Sequence, residues 1–129
     1  MTLYFIDSEF IEDGKTIDLI SIGIVAEGGN ELYLQSAETD LFRASDWVIQ
    51  NVLPHLQHFN AETRSRSCQA GSNGACLEGG CPWRWKVFIA REIVAFCNPE
   101  FHGRPEFWGY YADYDWVVLC QLFGTMMDL

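Results

Sequence analysis

One stretch near the start of the chain, Tyr4-Phe5-Ile6-Asp7-Ser8-Glu9-Phe10, carries the strongest signal for fold and function. It is an apolar run typical of a buried strand, interrupted by two acids. Because side chains alternate between strand faces, Asp7 and Glu9 share one face and Ser8 takes the other. Two buried carboxylates repel each other unless a hard divalent cation binds their oxygens, so the stretch predicts a metal site. The alternative is a strand end that emerges into solvent, where acids are ordinary.

The composition predicts a single domain spanning residues 1–129. Hydrophobic residues make up 49% of the chain and aromatic residues 15%, which is enough for a core. No apolar run is long enough to cross a membrane, and no signal-like segment is present. The five cysteines are an odd number, which argues against a complete secreted disulfide framework. We therefore expect a soluble, cytoplasmic protein without a membrane partner.

Charge is distributed unevenly along the chain. The formal net charge of −10 argues against a simple nucleic-acid-coating protein, since such proteins bind phosphates through basic side chains. Five of the eight Lys and Arg residues nevertheless fall between positions 64 and 91, where Glu78 is the only acid. This basic segment predicts either a surface that steers a polyanion or a solvated loop.

The pattern of strands and helices indicates the α/β class. Three segments of strand character, separated by Asp-Gly and Gly-Gly-Asn turns, are residues 3–10, 17–25 and 31–35. They predict a three-stranded antiparallel meander whose first strand is central and covered on both faces, because Tyr4, Phe5 and Ile6 are all apolar. A further short buried strand is predicted within residues 105–111. The order βββ, α, α, β, α predicts a mixed sheet flanked by helices.

Two helices follow from apolar stripes with helical spacing, and a third, Tyr114 to Phe123, follows from the residues that cap and close it. The first helix is predicted to begin after Ser45 as its N-cap and to kink or end at Pro54. The second is predicted to run from Trp85 to Phe96 and to stop before Asn98-Pro99. The third is predicted to be capped by Asp113 and to end at Gly124.

Between about residues 63 and 84 the chain becomes rich in Gly and Ser, which predicts a long inserted loop. Its cysteines, Cys68, Cys76 and Cys81, are not spaced as in a zinc ribbon. A fourth metal ligand would be His55 or His58, whose spacing of three suits one helical face. Thiols that bind no metal are the alternative.

A third acid, Asp115, lies in Tyr111-Ala-Asp-Tyr-Asp-Trp-Val-Val-Leu119 at the start of the last predicted helix, where acids are also common without a function. The segment Asp7-Ser-Glu9-Phe resembles the first motif of the DEDD superfamily of 3′–5′ exonucleases, and the segment around Asp115 resembles the second. The run from Tyr4 to Val25 is similar to a bacterial and phage branch of 3′–5′ exoribonucleases, relatives of RNase T and oligoribonuclease. The resemblance covers residues 3–60 and 85–129.

This resemblance implies an RNase H-like fold and hydrolysis of phosphodiesters at RNA 3′ ends by a two-metal mechanism. Asp7 would bridge two Mg²⁺ or Mn²⁺ ions, Glu9 would bind the ion that activates water, and Asp115 would hold the second ion. Phe10 would stack on the substrate, an RNA 3′ end or a short oligonucleotide. Relatives are often homodimers, and the sequence fixes no oligomeric state.

The chain departs from the family in its third motif, a His followed five residues later by an Asp. None of His55, His58 and His102 is followed by an acid at that spacing. We therefore expect a C-terminally truncated member that lacks the last part of the fold. Two functions follow: a metal-dependent exoribonuclease, or a catalytically inactive module that keeps a metal or nucleotide pocket. A phosphohydrolase that opens with Asp-x-Asp would need Asp where this chain has Glu9.

Overall fold

The computed structural model describes residues 1–68, 81–109 and 112–123, which form a mixed α/β fold. Its strands are β1 (Thr2–Glu12), β2 (Ile17–Ala26), β3 (Glu31–Ser36), β4 (Phe59–Asn60), β5 (Ser65–Arg66), β6 (Trp83–Arg84) and β7 (Pro105–Trp108). Its helices are α1 (Asp46–Asn51), α2 (Lys86–Phe96), α3 (Pro99–His102) and α4 (Ala112–Leu122).

The main sheet has the strand order β6-β3-β2-β1-β7. Strands β1, β2 and β3 form the predicted antiparallel meander, while β7 is parallel to β1 and β6 is parallel to β3. This mixed sheet, flanked by helices, is compatible with the RNase H-like arrangement expected from the sequence. Strands β4 and β5 form a separate two-stranded antiparallel sheet.

The first turn of the meander is stabilised by Asp13. Its carboxylate accepts hydrogen bonds from the backbone N–H groups of Lys15 at 3.0 Å and Thr16 at 2.8 Å. Gly14 adopts a φ of +87°, which a side chain would disfavour. The Asp-Gly signal in the sequence therefore marks a real reversal of the chain.

A β-bulge lies directly after the second acid of β1. Glu9 is opposite Ser21, but the next residue, Phe10, is opposite Leu19, so Ile20 is the extra residue on β2. The bulge allows Ile20 to enter the apolar cluster that contains α1 residues, while Ser21 keeps its place beside Glu9.

Two apolar clusters cover the sheet. One joins β1, β2 and β3 to α2 and α4 through residues that include Tyr4, Ile24, Ile89 and Val118. The other surrounds Val48 of α1 and includes side chains from before and after the insertion. The two clusters fix α4 and α1 beside the sheet, and with them the side chains that line the site described below.

Two strand predictions need correction. Strand β1 is internal, with partners on both sides, but Phe5 is 50% exposed, so the strand is not covered on both faces. Strand β7 is an edge strand rather than a buried one, and Trp108, which pairs with Phe5, is 55% exposed. Val25, on the other side of Phe5, is exposed as well, so the apolar run of β1 ends on an open part of its sheet face.

The first two helices begin at or next to their predicted starts and α2 ends as predicted, but α1 ends at Asn51 rather than at Pro54. Ser45 caps α1 and accepts a hydrogen bond from the N–H of Val48 at 3.3 Å, and Pro54 follows in a short 3₁₀ turn. Helix α2 ends at Phe96, before Asn98-Pro99. Helix α4 begins at Ala112, so Asp113 lies in its first turn rather than before it, and Gly124 is outside the described residues.

The segment predicted as an inserted loop is only partly a loop. Strands β5 and β6 lie at its two ends, and the sequence analysis missed both, together with β4 and α3. Residues 69–80, which include Cys76, are outside the described residues. The assignment of residues 1–129 to one domain with an insertion stays a prediction.

The basic segment does not form one free cationic surface. Arg84 pairs with Glu92 at 3.0 Å and Lys86 pairs with Asp18. Arg91 lies over the ring of Phe88, with 5.1 Å from the guanidinium carbon to the ring centroid. Arg84 lies in β6, and Lys86 and Arg91 lie in α2, so these three residues are not in a solvated loop; whether the segment steers a polyanion stays a prediction. In the described part of the chain, no helix has the length and apolarity needed to span a membrane.

Candidate metal centre

The two acids of β1 lie on one sheet face, as the alternation predicts. Ser8 is buried at 7% exposure, while Asp7 is exposed and Glu9 is half-buried. Asp7 is opposite Gly23. A Cβ atom placed on Gly23 would meet nothing closer than the Asp7 carbonyl oxygen at 3.9 Å, so the missing side chain leaves open space beside Asp7.

The third acid reaches β1 from helix α4. Asp115 is only 5% exposed, and one of its carboxylate oxygens accepts the backbone N–H of Ser8 at 3.0 Å and also the Ser8 hydroxyl. The described pairing of β7 with β1 ends opposite Phe5, so the N–H of Ser8 lies beyond the end of β7. A strand end of this kind is where α/β sheets commonly place their sites.

The three carboxylates influence one another electrostatically. Burial raises the pKa of Asp7, and the neighbouring Asp115 raises it further. Burial also raises the pKa of Glu9, with Asp7 and then Asp115 as additional causes. Groups arranged in this way favour a bound proton or a bound cation, because either one removes the repulsion between negative charges.

Two adjoining pockets, of about 440 and 430 Å³, share Asp7, Ser8 and Glu9. The first is lined further by residues of β2, β3, the end of α1 and the segment that follows α1, among them Gly23, Tyr33, Asn51, His55 and Gln57. The second is lined by Phe10, Glu12, Ser45, Trp47, Val48, Tyr114 and Asp115. The acids therefore lie between two spaces that could receive different parts of one ligand.

A buried glutamine holds the wall of the first pocket. Gln35 has no exposed surface, and its amide accepts the N–H of Gln57 at 2.8 Å and donates to the Gln57 carbonyl at 3.0 Å. It also accepts the Tyr33 hydroxyl at 2.9 Å. Burial raises the pKa of Tyr33, and the carboxylate of Glu9 adds to that rise. Sequence reasoning missed this network, although a glutamine ending an apolar strand was a visible signal.

Phe10, which the sequence analysis names as a base-stacking residue, lines the second pocket, and its stacking on a substrate stays a prediction. Its ring is half-buried and packs on Tyr114 of α4, with 5.5 Å between ring centroids. The side chain is therefore held in place by a neighbour while one part still faces the pocket.

The structure separates two histidines that the sequence treats alike. His55 ends the 3₁₀ turn after α1 and lines the first pocket together with Asp7 and Glu9. His58 has a φ of +49° and lies outside that turn, so the expectation of a shared helical face is wrong. His102 is in α3 and lines neither pocket.

The donor set of this site consists of oxygen atoms. Carboxylates from Asp7, Glu9 and Asp115, with no thiol among the residues that line the two pockets, suit Mg²⁺ or Mn²⁺ rather than softer metals. Partial burial and mutual repulsion give these carboxylates a reason to bind a cation. Asp7, Glu9 and Asp115 therefore form a candidate metal centre.

No protein-family model matches the sequence. Two curated proteins from two strains of Mycobacterium tuberculosis, both named 3′–5′ exoribonuclease, are each 39% identical to this chain over 126 residues. The matched region covers 98% of this chain and 64% of each relative. This similarity extends over both segments that carry the acids, and it makes the chain a homologue of curated 3′–5′ exoribonucleases.

Proposed function

We propose that this chain provides the metal-binding part of a 3′–5′ exoribonuclease that hydrolyses phosphodiesters at RNA 3′ ends with two Mg²⁺ or Mn²⁺ ions. One observation carries the proposal: the hydrogen bonds from Ser8 to Asp115 bring a third carboxylate to the pair on β1. The name of the curated relatives supplies the reaction class and RNA as the substrate class.

In this proposal Asp7, Glu9 and Asp115 would hold the two ions: Asp7 would serve both, Glu9 would serve the ion that activates water, and Asp115 would serve the other. When bound, two such ions would stabilise the attacking and leaving oxygens of the phosphodiester. The protein itself has to keep three like charges in place. The hydrogen bonds from Ser8 do so for Asp115, because they fix its carboxylate before any ion arrives.

The nucleotide would lie in the two pockets that share the acids. Phe10, supported by Tyr114, offers an aromatic face for a terminal base, a contact that tolerates any base. The space beside Gly23 adjoins Asp7 in the other pocket and would receive the neighbouring sugar or phosphate. The family resemblance implies a homodimer, which we expect, but the proposed reaction does not depend on it.

The second candidate function is binding without hydrolysis. It is the alternative for residues 1–129 taken by themselves, in which no histidine is followed five residues later by an acid, as the family's third motif requires. A site with three acids but without a positioned general base would still bind metal and nucleotide. Of the three histidines, His55 is the one that lines a pocket together with Asp7 and Glu9, so its location makes it the candidate for a general base.

The two candidates are separated by incubating the purified chain with 5′-labelled oligoribonucleotide and Mn²⁺. We expect stepwise shortening from the 3′ end, abolished by chelator and by Asp7→Asn. Asp46→Asn, in the exposed first turn of α1, is the matched control and should keep the activity. Intact RNA combined with calorimetric Mn²⁺ binding that Asp7→Asn removes would support the binding module instead. Cleavage that persists in chelator or in Asp7→Asn would contradict both.

A further inference from the structure

A second group of metal-ligating side chains lies away from the three acids. His58, Cys68 and Cys81 each offer one ligand atom, and these atoms all lie within 4.8 Å of one another. The two sulfur atoms are 3.1 Å apart. None of these residues lines either pocket at the acids, so the group is separate from the candidate nuclease site.

The backbone around His58 brings the three side chains together. His58 precedes β4, Cys68 follows β5, and Cys81 precedes β6. The carbonyl of His58 accepts the N–H of Ser67 at 2.7 Å and the indole N–H of Trp83 at 2.9 Å. Because Ser67 is next to Cys68 and Trp83 is two residues after Cys81, these bonds bring both cysteines towards the histidine. His58 keeps a φ of +49°, an uncommon conformation for a residue with a side chain.

Both cysteines lie in or against a buried cluster, and a guanidinium lies beside one of the two sulfur atoms. Cys81 is only 2% exposed and belongs to the same apolar cluster as Trp83, while Cys68 is partly buried against that cluster. The guanidinium of Arg66 donates from two nitrogens to the sulfur of Cys68, at 3.3 and 3.2 Å. A positive charge at this position offsets the negative charge that a thiolate brings to a metal.

We propose that His58, Cys68 and Cys81 bind a zinc ion. Imidazole and thiolate are the ligands that zinc prefers, whereas Mg²⁺ and Mn²⁺ prefer oxygen. Around a tetrahedral zinc with bonds of ~2.0–2.3 Å, ligand atoms are roughly 3.5 Å apart, so the observed separations need only small side-chain rotations. Three protein ligands leave the fourth position for a water molecule or one further side chain.

The ion would act as a cross-link between short elements. Strands β4, β5 and β6 have two residues each, which is too short for stability without support. An ion held by His58, Cys68 and Cys81 ties the β4–β5 hairpin to the β6 edge of the main sheet. Its binding energy therefore adds to the stability of the folded chain. The proposal does not depend on the exoribonuclease function.

The first test uses the unmodified chain, reduced and freed of metal, and titrates it with Co²⁺ as a spectroscopic substitute for zinc. We expect an ultraviolet thiolate-to-cobalt charge-transfer band and visible bands of tetrahedral cobalt, saturating at one ion per chain. Added Zn²⁺ should displace the cobalt and abolish both. Carboxylate ligands give no thiolate band, so the acid site cannot produce this result. Absence of the thiolate band would overturn the proposal.

The second test assigns the ligands. Zinc affinity, measured by competition with a chromophoric chelator, should fall by more than about 100-fold in His58→Gln, Cys68→Ser and Cys81→Ser, since even outer-shell changes cost ~10–100-fold. His55→Gln is the matched control and should bind zinc as the unmodified chain does. Circular dichroism of each variant identifies those that fail to fold. A drop in His55→Gln without one in His58→Gln would refute the ligand set.

The third test distinguishes a metal site from a disulfide. Alkylation of the unreduced chain followed by mass spectrometry counts the thiols. We expect Zn²⁺ to protect Cys68 and Cys81 from alkylation and chelator to restore their reactivity. A Cys68–Cys81 disulfide that persists in reducing buffer would overturn the proposal.

Discussion

Ser8 and Asp115 are joined by two hydrogen bonds between residues 107 positions apart in the sequence. The N–H and the hydroxyl of one residue on β1 both donate to one carboxylate oxygen on α4. Since Ser8 lies between Asp7 and Glu9, this contact sets the distance from the third acid to the other two. Ser8 is therefore the residue that holds Asp115 near Asp7 and Glu9.

Replacing Ser8 by Ala should weaken metal binding more than it weakens the fold. The variant keeps the N–H donor and loses the hydroxyl, a change of about 1.5–3 kcal/mol in unfolding free energy for a hydrogen bond to a charged group. Asp115 is then held by one bond instead of two, and Mn²⁺ affinity should fall several-fold. Calorimetry and urea unfolding measure the two effects.

Ser36→Ala is the control for that experiment. Ser36 is also buried and hydrogen-bonded, to the hydroxyl of Thr39 at 3.0 Å, but it lines neither pocket at the acids. It should lose stability to a similar extent and bind Mn²⁺ normally. Equal losses of metal affinity in both variants would show that Ser8 has no special role.

Neutralising an acid of β1 should stabilise the metal-free protein at neutral pH. The pKa values of Asp7 and Glu9 are raised in the folded state above their ordinary values of 3.8 and 4.5. Their favourable contribution is therefore complete below those values and is lost as pH rises through the raised ones. Asp7→Asn should gain of the order of 1 kcal/mol or less at pH 7, since the side chain is partly exposed.

Thermal unfolding across pH, with and without Mn²⁺, measures this effect. The gain of Asp7→Asn should disappear in acid, and Mn²⁺ should stabilise the unmodified chain but not the variant. An unmodified chain that is already the more stable one at pH 7 without metal would contradict the electrostatic account.

Asp13 should show the opposite pH dependence. Hydrogen bonds from the N–H groups of Thr16 and Lys15 lower its pKa from 3.8 to about 2. Its contribution to stability is therefore complete above 3.8 and is lost as pH falls towards 2. Asp13→Asn keeps an oxygen acceptor in the turn but removes the charge, so its unfolding curve should depend less on pH between these values. Acid titration of stability, with Asp46→Asn for comparison, provides the measurement.

Gln35→Leu should destabilise the chain and loosen the first pocket. The substitution leaves the N–H and carbonyl of Gln57 and the hydroxyl of Tyr33 without the partners that Gln35 supplies. Each unpaired group costs about 1–3 kcal/mol when buried, and less where water can replace the bond. We expect a loss of about 2–3 kcal/mol in urea unfolding. Gln50→Leu, on an exposed position of α1, should change stability by less than about 0.5 kcal/mol.

The parts of the fold that follow local rules could be predicted from the sequence. The turn at Asp13-Gly14, the cap at Ser45 and the end of α2 before Pro99 each depend on neighbouring residues. The alternation that sets Asp7 and Glu9 on one face is equally local. Elements stabilised by distant partners were missed: β6, two residues long, exists because it pairs with β3.

The candidate site also contains residues that could be predicted from the sequence and residues that could not. Asp7 and Glu9 were named from the alternation of β1 and Asp115 was joined to them by resemblance; the structure brings the three to one pocket, but their catalytic roles stay a prediction. His55 in the pocket wall, and Gln35 as the residue that holds Gln57 in that wall, were not foreseen, because the fold of the chain after Pro54 brings the wall to the acids. The choice between His55 and His58 also needed the structure, since a positive φ at His58 breaks the helical spacing.

The parallel pairing of β7 with β1 has a consequence for the order of folding events. Thr2 pairs with Pro105, so almost the entire chain must be gathered before this contact forms. Contacts between residues so distant in sequence form late, because loop closure costs entropy before the contact repays it. We therefore expect the local meander that carries Asp7 and Glu9 to form early and Asp115 to join these two acids later. A ligand that requires all three acids should therefore slow unfolding while leaving the rate of folding nearly unchanged.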